Sequence, residues 1–297
     1  MLLVDKPSGV TSHDVVGRTR SVLRTRRVGH AGTLDPMATG LLVLGVDRAT
    51  RLLGRLALAT KSYTATIRLG ISTTTDDAEG EPTPVADASL LSTAQLVAAL
   101  APLTGAIMQV PSAVSAIKVD GVRAYRRVRD GEQVELAARP VVVSRFAMSG
   151  EARPGPGRLD VDVEVDCSTG TYIRALARDL GAALKVGGHL TALRRTAVGP
   201  FRVDRAIDVF APQEITQSSA DAVAAAMLPA GEAVKEVFGV RVATQDEVVD
   251  LRFGRPVAAV GRAGPYGMFA PADGGLLALV EETGGRARPV LVWQAAG

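Results

Sequence analysis

The chain has 297 residues, 47% of them hydrophobic, which suits one large domain with a smaller companion or two of medium size. Its single cysteine, Cys167, excludes an intrachain disulfide and a cysteine-rich metal site, and His13, His30 and His189 have no metal-ligand spacing. The 34 Lys and Arg against 31 Asp and Glu leave a net charge of +3, too small to indicate nucleic acid by itself, and no apolar run is long enough to span a membrane.

Leu2–Asp5 predicts a short buried strand, stopped by Lys6-Pro7-Ser8-Gly9. The opening MLLVDKPSG is too short and too soon acidic for a signal peptide, so a soluble, cytoplasmic protein is expected. Thr11 or Ser12 then caps a helix with Val15, Val16, Thr19, Val22 and Leu23 at helical spacing. GHAGTLDPMATG at 29–40 is a loop of small residues and turn formers, and LLVLGV at 41–46 is a buried strand. Asp47 is placed to cap a helix with Ala49, Leu52, Leu53 and Leu56 inward. Residues 61–69 alternate strictly, with Tyr63, Ala65, Ile67 and Leu69 on one face, as in a half-buried strand. The acidic, proline-containing stretch from Asp76 to Asp87 reads as a surface loop. Ser92 to Gln95 form a capping box ahead of Leu96, Val97 and Leu100.

Residues 111–139 are charged and poorly periodic, a long excursion with a short helix. Strands return at 140–148 and at 159–167, where Leu159, Val161, Val163, Val165 and Cys167 share a face. TYIRALARDLGAAL is a helix with Ile173, Leu176 and Leu180 inward. Without a βαβ repeat, this pattern predicts an α+β fold, a mainly antiparallel mixed sheet with packed helices. A domain over 1–212 is expected, with a linker or surface helix over 213–237. Residues 238–297 are expected as a small barrel-like unit containing a strand, a helix and three short strands.

No acidic residue lies between Asp14 and Asp35, whereas Arg18, Arg20, Arg24, Arg26 and Arg27 do, and arginine forks suit phosphate oxygens. A solvated helix face explains such a run equally well. The 111–139 excursion carries a basic surplus of two, and with 4% aromatic residues a sheet that stacks bases on paired aromatics is not expected. The residue pattern with most chemistry in it is the glycine-rich loop around Asp35-Pro36. Its geometry lets another molecule's backbone come close, although an Asx turn would also account for Asp35.

Four blocks carry a family resemblance. They are LLVDKPSGVTSHDVV (2–16), RRVGHAGTLDPMATGLLVLGVDRATRLL (26–53), KSYTATIRLG (61–70) continued by QVPSAVSAIKVDGVRAY (109–125), and DCSTGTYIRALARDLG (166–181) continued by GGHLTALRRTAVG (187–199). In this order they resemble the TruB family of tRNA pseudouridine synthases over roughly the first 210 residues. Residues 238–293 resemble a reduced PUA-like RNA-binding domain.

The resemblance implies the pseudouridine synthase fold with a PUA-like β-barrel. It implies isomerisation of uridine 55 in the TΨC arm, base flipping, no cofactor and no metal. Asp35 would be the catalytic aspartate, attacking C1′ or taking the C2′ proton. Arg174, off the apolar stripe of its helix, would keep that carboxylate ionised, and Tyr63 would stack under the flipped uracil. Leu193 would wall the base pocket, His30 and Tyr172 would adjoin the substrate, and Lys6 with Pro7 would brace the loop. Arg194 and Arg195 would meet phosphate, as would Lys118 and Arg123 in an insert resembling the family's thumb. The sequence departs from the family at its start, where the first strand begins almost at Met1 and the usual short leader is missing, and at Val114, where many relatives carry an aromatic residue. The expected partner is the T arm of tRNA, bound by a monomer with no obligate protein partner. The alternatives are a non-catalytic tRNA-binding or tRNA-folding protein, or a guide-RNA-dependent synthase. A glycoside hydrolase is set aside, because the matching blocks offer no second carboxylate suitably placed.

Overall fold

The computed structural model describes residues 1–112, 136–211 and 214–295. Between the first two segments it gives only the backbone of two short strands, Lys118–Val119 and Val122–Arg123, paired antiparallel. The N-terminal strands are β1 (Leu2–Lys6), β2 (Val28–His30), β3 (Thr39–Val46), β4 (Lys61–Leu69), β5 (Ile71–Thr73), β6 (Pro82–Pro84) and β7 (Gly105–Gln109). Counting Lys118–Val119 and Val122–Arg123 as β8 and β9, there follow β10 (Arg139–Met148), β11 (Arg153–Gly155), β12 (Arg158–Cys167), β13 (Gly188–Val198) and β14 (Phe201–Arg202). The helices of this part are α1 (Ser12–Leu23), the single turn α2 (Leu53–Leu56), α3 (Thr93–Leu100) and α4 (Ile173–Ala183).

One sheet runs β1-β3-β13-β4-β12-β10-β7, antiparallel except where β13 lies parallel to β3. The two patterns of apolar residue in the sequence mark its two halves. β4 and β12 alternate between buried and solvent-facing positions, because one face is covered. β3 is apolar on both faces because both are covered. Leu42 and Leu44 meet Val15, Val16 and Val22 of α1, while Leu41 and Val43 join the core shared with the C-terminal sheet. Thr11 caps α1 through a capping box with Asp14, and Ser92 caps α3 through one with Gln95.

Asp47 caps no helix. It sits at φ 50° and accepts from Thr25 Oγ1 at 2.6 Å, and a 3₁₀ segment over Asp47–Leu52 precedes α2. The segment expected as a linker or surface helix carries α5 (Gln217–Ala225) and α6 (Ala230–Val237). Val223 of α5 packs into the α1 core, and Ala233 and Val234 of α6 enter the core of Leu41 and Phe201. Beyond lie β15 (Gly239–Val242), α7 (Gln245–Arg252), β16 (Val257–Ala258), β17 (Tyr266–Phe269), β18 (Leu276–Thr283) and β19 (Arg286–Val292). These five strands form a second sheet, ordered β15-β17-β18-β19-β16. Phe269, Leu276, Leu279 and Leu291 share a core with Met1, Leu3 and Leu52, so apolar packing ties the second sheet to the first.

Two glycines set the distance between elements. A Cβ on Gly40 (φ +100°) would stand 2.3 Å from the Arg195 carbonyl oxygen, and one on Gly181 would stand 2.2 Å from the Gly187 carbonyl carbon. Both clashes are with backbone, which has nowhere to go. Gly40→Ala and Gly181→Ala are each expected to cost about 3 kcal/mol or more, read as a lower urea midpoint at unchanged slope. A midpoint within error of the parent protein would show that these approaches are looser than described.

Candidate active site

The centre of the sheet brings the site together. In the register of β13 on β4, Arg195 lies opposite Tyr63 and Leu193 opposite Ala65, while Arg195 also lies opposite Gly40 of β3. Helix α4 packs across this face through Ile173, Leu176 and Leu180. Tyr172, the residue just before the helix, is held by Gln109, whose amide donates to the Tyr172 carbonyl at 3.0 Å and accepts from its N–H at 2.8 Å. The result is a pocket of about 240 Å³ lined by Asp35, Lys61, Tyr63, Arg174, Leu193, Arg195 and the turn from Ser168 to Ile173.

The loop that presents Asp35 is pinned along its length. Ser12 Oγ accepts from the Leu34 N–H at 2.9 Å and donates to the Leu34 carbonyl at 3.1 Å. Lys6 Nζ donates to the carbonyls of Pro7, Val10 and Pro36 at 3.0, 2.7 and 3.0 Å. Arg195, with no exposed surface, donates to the carbonyls of Leu41, Thr33 and Gly32 at 2.7, 3.3 and 3.1 Å. A loop whose carbonyls are occupied on both sides of Asp35 holds the carboxylate in place without relying on helix or sheet.

Arg174 is the hub. Its Nη2 donates to Asp35 Oδ1 at 3.1 Å and its Nε stands 3.0 Å from Oδ2. Its Nη1 donates to the Thr75 carbonyl at 3.0 Å and lies 3.3 Å from Asp77 Oδ2. The Arg174 side chain is 5% exposed and Asp77 3%, whereas Asp35 keeps 34%. The carboxylate facing the pocket is therefore the accessible member of a buried charge cluster. One turn on, Arg178 pairs with Asp76 and Asp179 and donates to the Val110 carbonyl.

Residues 81–87 are exposed, as a surface loop should be, and Asp77 is the exception, buried against Arg174 and outside the pocket lining. Chain folding alone decides that this aspartate turns inward, where Thr75 and the Glu79 N–H also bind it. Lys61, Gln109 and Ser12 are further site residues that the sequence did not single out, since each reads as an ordinary strand or helix-start residue.

Of the residues expected at the site, Asp35, Tyr63, Tyr172, Arg174 and Leu193 line the pocket. Tyr63 is deeply buried, and burial raises its phenol pKa against the opposing pull of Arg195, so the hydroxyl stays protonated at neutral pH. His30 lies outside this lining. Burial lowers its pKa, and its Nδ1 has no hydrogen-bond partner among the described residues.

Lys6 is fully buried on loop carbonyls and braces the loop, the place the resemblance gave it, so it does not face substrate. Two expected phosphate contacts need correction. Arg195 is fully buried and cannot meet phosphate. Arg194 forks onto Asp5 at 3.0 and 2.6 Å, so its charge is already matched, although it stays 41% exposed beside a second groove on the other side of Leu193. The Lys118 and Arg123 side chains and Val114 lie outside the described residues. Among the described residues, no cluster of three or more His, Cys, Asp or Glu could hold a metal ion, and no helix is long and apolar enough to cross a membrane.

Burial lowers the pKa of Lys6 to about 8, against the opposite pull of Asp35, Glu79 and Asp14. Because the folded value lies below the unfolded one, the unfolded chain binds more protons between about pH 8 and the ordinary lysine value near 10.5, and this group's contribution to stability rises with pH there. The loop responds in the opposite sense, since a neutral amine has two hydrogens for three carbonyls. Turnover is expected to decline as pH rises through about 8. In Lys6→Met the rate should be lower and should lack that alkaline limb. An unchanged limb in the variant would assign it to another group.

Family models match most of the chain. The model described as TruB family pseudouridylate synthase (N terminal domain) matches residues 20–173. The tRNA pseudouridylate synthase B C-terminal domain matches 174–235, and tRNA Pseudouridine synthase II, C terminal, matches 238–294. The chain is 56% identical to tRNA pseudouridine synthase B of Nocardia farcinica, covering 100% of this chain and 94% of that protein. It is 54% identical to the protein of that name from Mycolicibacterium paratuberculosis, covering 100% and 98%. Among solved structures, a Cbf5-Nop10-Gar1 complex contains a chain of similar fold, with TM-score 0.70, 24% identity and coverage of 100% and 87%. An H/ACA RNP bound to a substrate RNA contains another, with TM-score 0.69, 22% identity and coverage of 98% and 84%.

Proposed function

The chain belongs to the TruB family and is a tRNA pseudouridine synthase, and from that premise we propose that it isomerises uridine 55 in the TΨC arm, with Asp35 as the reacting group. The observation that carries the assignment of Asp35 is the guanidinium of Arg174 gripping a carboxylate that still faces an open pocket.

The reaction breaks the N1–C1′ bond, turns the base, and forms C5–C1′. It imports no atoms and changes no oxidation state. Asp35 either bonds to C1′ as the N1–C1′ bond breaks, or removes the C2′ proton so that the base leaves from a glycal. Arg174 holds and aims the carboxylate. A target base inside a folded loop is flipped from its stack, and Tyr63 and Leu193 replace the stacking it loses. His30 and Tyr172 contact the flanking nucleotides. Residues 1–212 form the catalytic unit, with the 111–139 insert closing on the T arm, and residues 238–297 form a PUA-like unit. The enzyme works in the cytoplasm as a monomer on free tRNA, without guide RNA.

Purified enzyme and a T-arm hairpin transcript test this reading. Pseudouridine is expected at position 55 alone, with no added protein or RNA, and binding should weaken steeply with salt. Conversion at another position, or only with a guide RNA, would refute it. Binding without conversion would favour the non-catalytic alternative.

A further inference from the structure

Two cations of the pocket have no carboxylate of their own. Lys61, 7% exposed at the start of β4, donates to the carbonyls of Ala57 and Ala59, each at 3.0 Å, which leaves one hydrogen of its ammonium uncommitted. Arg195, across Gly32 from it, is occupied by carbonyls. Neither forms an ion pair among the described residues. The two flank Gly32, where a Cβ would stand 3.4 Å from Lys61 Cε and 3.7 Å from Arg195 Nη1. Burial lowers the Lys61 pKa and the neighbouring guanidinium lowers it further. Placing two buried cations together is unfavourable unless an anion joins them. Asp35 does not serve, because Arg174 already holds it.

The reaction itself makes an anion in this space. When N1–C1′ breaks, the bonding pair stays with the base, and the uracil becomes an anion with charge over N1, O2 and O4. This holds whether Asp35 has bonded to C1′ or has taken the C2′ proton. When C5 then bonds to C1′, the base gives the pair back. The Asp35–C1′ bond breaks with its pair returning to the carboxylate, or Asp35 returns its proton to C2′ of the glycal; the C5 proton leaves and N1 takes one up. We infer that Lys61, backed by Arg195, is a catalytic cation that holds the detached uracil anion while it turns. The inference rests on the reaction proposed above. A fixed positive charge in a water-poor pocket lowers the barrier most when the opposing charge exists only transiently. A spherical ammonium also suits a base that must rotate, because it prefers no single oxygen.

Lys61 also closes the turn at residues 57–59, so its test needs a readout that a bracing role would not move. Matched T-arm hairpins carrying uridine or 5-fluorouridine at the target would be followed in single turnover for breakage of the N1–C1′ bond. Fluorine stabilises the anionic base and makes it a better leaving group, so it needs the cation less. Lys61→Met is expected to lose roughly 10²-fold on uridine. Its loss on 5-fluorouridine should be smaller by about tenfold, with hairpin affinity nearly unchanged and most of the rate restored in Lys61→Arg. Lys61→Gln keeps donors for the two carbonyls and removes the charge, so it should show the same bias even if the Met variant folds poorly. Equal losses on the two hairpins, or a Lys61→Met rate at the wild-type level, would overturn the inference. Wild-type enzyme inert on both hairpins would instead overturn the assigned reaction.

Discussion

Asp35→Asn is expected to bind tRNA within a few fold of the wild-type affinity and to form pseudouridine at least about 10⁴-fold more slowly. The substitution is isosteric, so the pocket keeps its shape, but an amide is neither a nucleophile for C1′ nor a base for C2′. The fold should tolerate it well. Arg174 keeps Asp77 at 3.3 Å and the Thr75 carbonyl at 3.0 Å, and Asp35 is the partly exposed partner. A stability loss of no more than about 1–2 kcal/mol is expected. Asp35→Glu keeps the charge but moves it by one methylene, and misplacement on that scale is expected to cost on the order of 10²-fold or more. Single-turnover conversion of a T-arm transcript and a filter-binding isotherm measure the two quantities separately. An Asn variant that converts at the wild-type rate would mean that another group does the chemistry.

Arg174 carries the second large effect, and here stability and catalysis fall together. Arg174→Met leaves Asp77 buried at 3% exposure with no cation, and stranding one partner of a buried pair costs roughly 3–5 kcal/mol. The same change leaves Asp35 without its aiming group, so a rate loss on the order of 10³-fold is expected beyond any loss of folded enzyme. A second substitution separates the two consequences. Arg174→Met with Asp77→Asn removes the stranded charge and should recover much of the urea midpoint while recovering none of the rate. Arg174→Lys keeps the charge but has one nitrogen where the fork reaches Asp35, Asp77 and the Thr75 carbonyl at once, so most of the activity should still be lost. A Lys variant near the wild-type rate, or a double variant that regains activity, would show that Arg174 serves only to hold the helix in place.

The elements that were legible in the sequence are those in which local chemistry and tertiary packing agree. α1 begins at Thr11 because the hydroxyl and Asp14 complete a capping box, and α3 begins at Ser92 for the same reason with Gln95. β4 and β12 declare one covered face through strict alternation, and β3 declares two through an unbroken apolar run. Asp47 misled because a capping residue was read where the chain instead turns through φ 50° and gives its carboxylate to Thr25. Residues 213–237 read as a linker or a surface helix, and α5 is such a helix; what spacing did not show is that Val223 and Val234 enter the cores of the neighbouring elements.

The sequence by itself determined the α+β class and the family, and it singled out Asp35, Tyr63, Arg174 and Leu193, which meet in one pocket. The class follows from the spacing of apolar residues, and the four residues from the resemblance of their blocks to the family. Only the tertiary structure decided that Asp77 turns inward to share Arg174, that Lys6 and Arg195 spend their charge on loop carbonyls, and that Lys61 faces the pocket. A charged residue's partner is chosen by what folding brings within a few ångströms. For Asp77 and Arg174 that partner lies on a distant segment, and no local pattern records it.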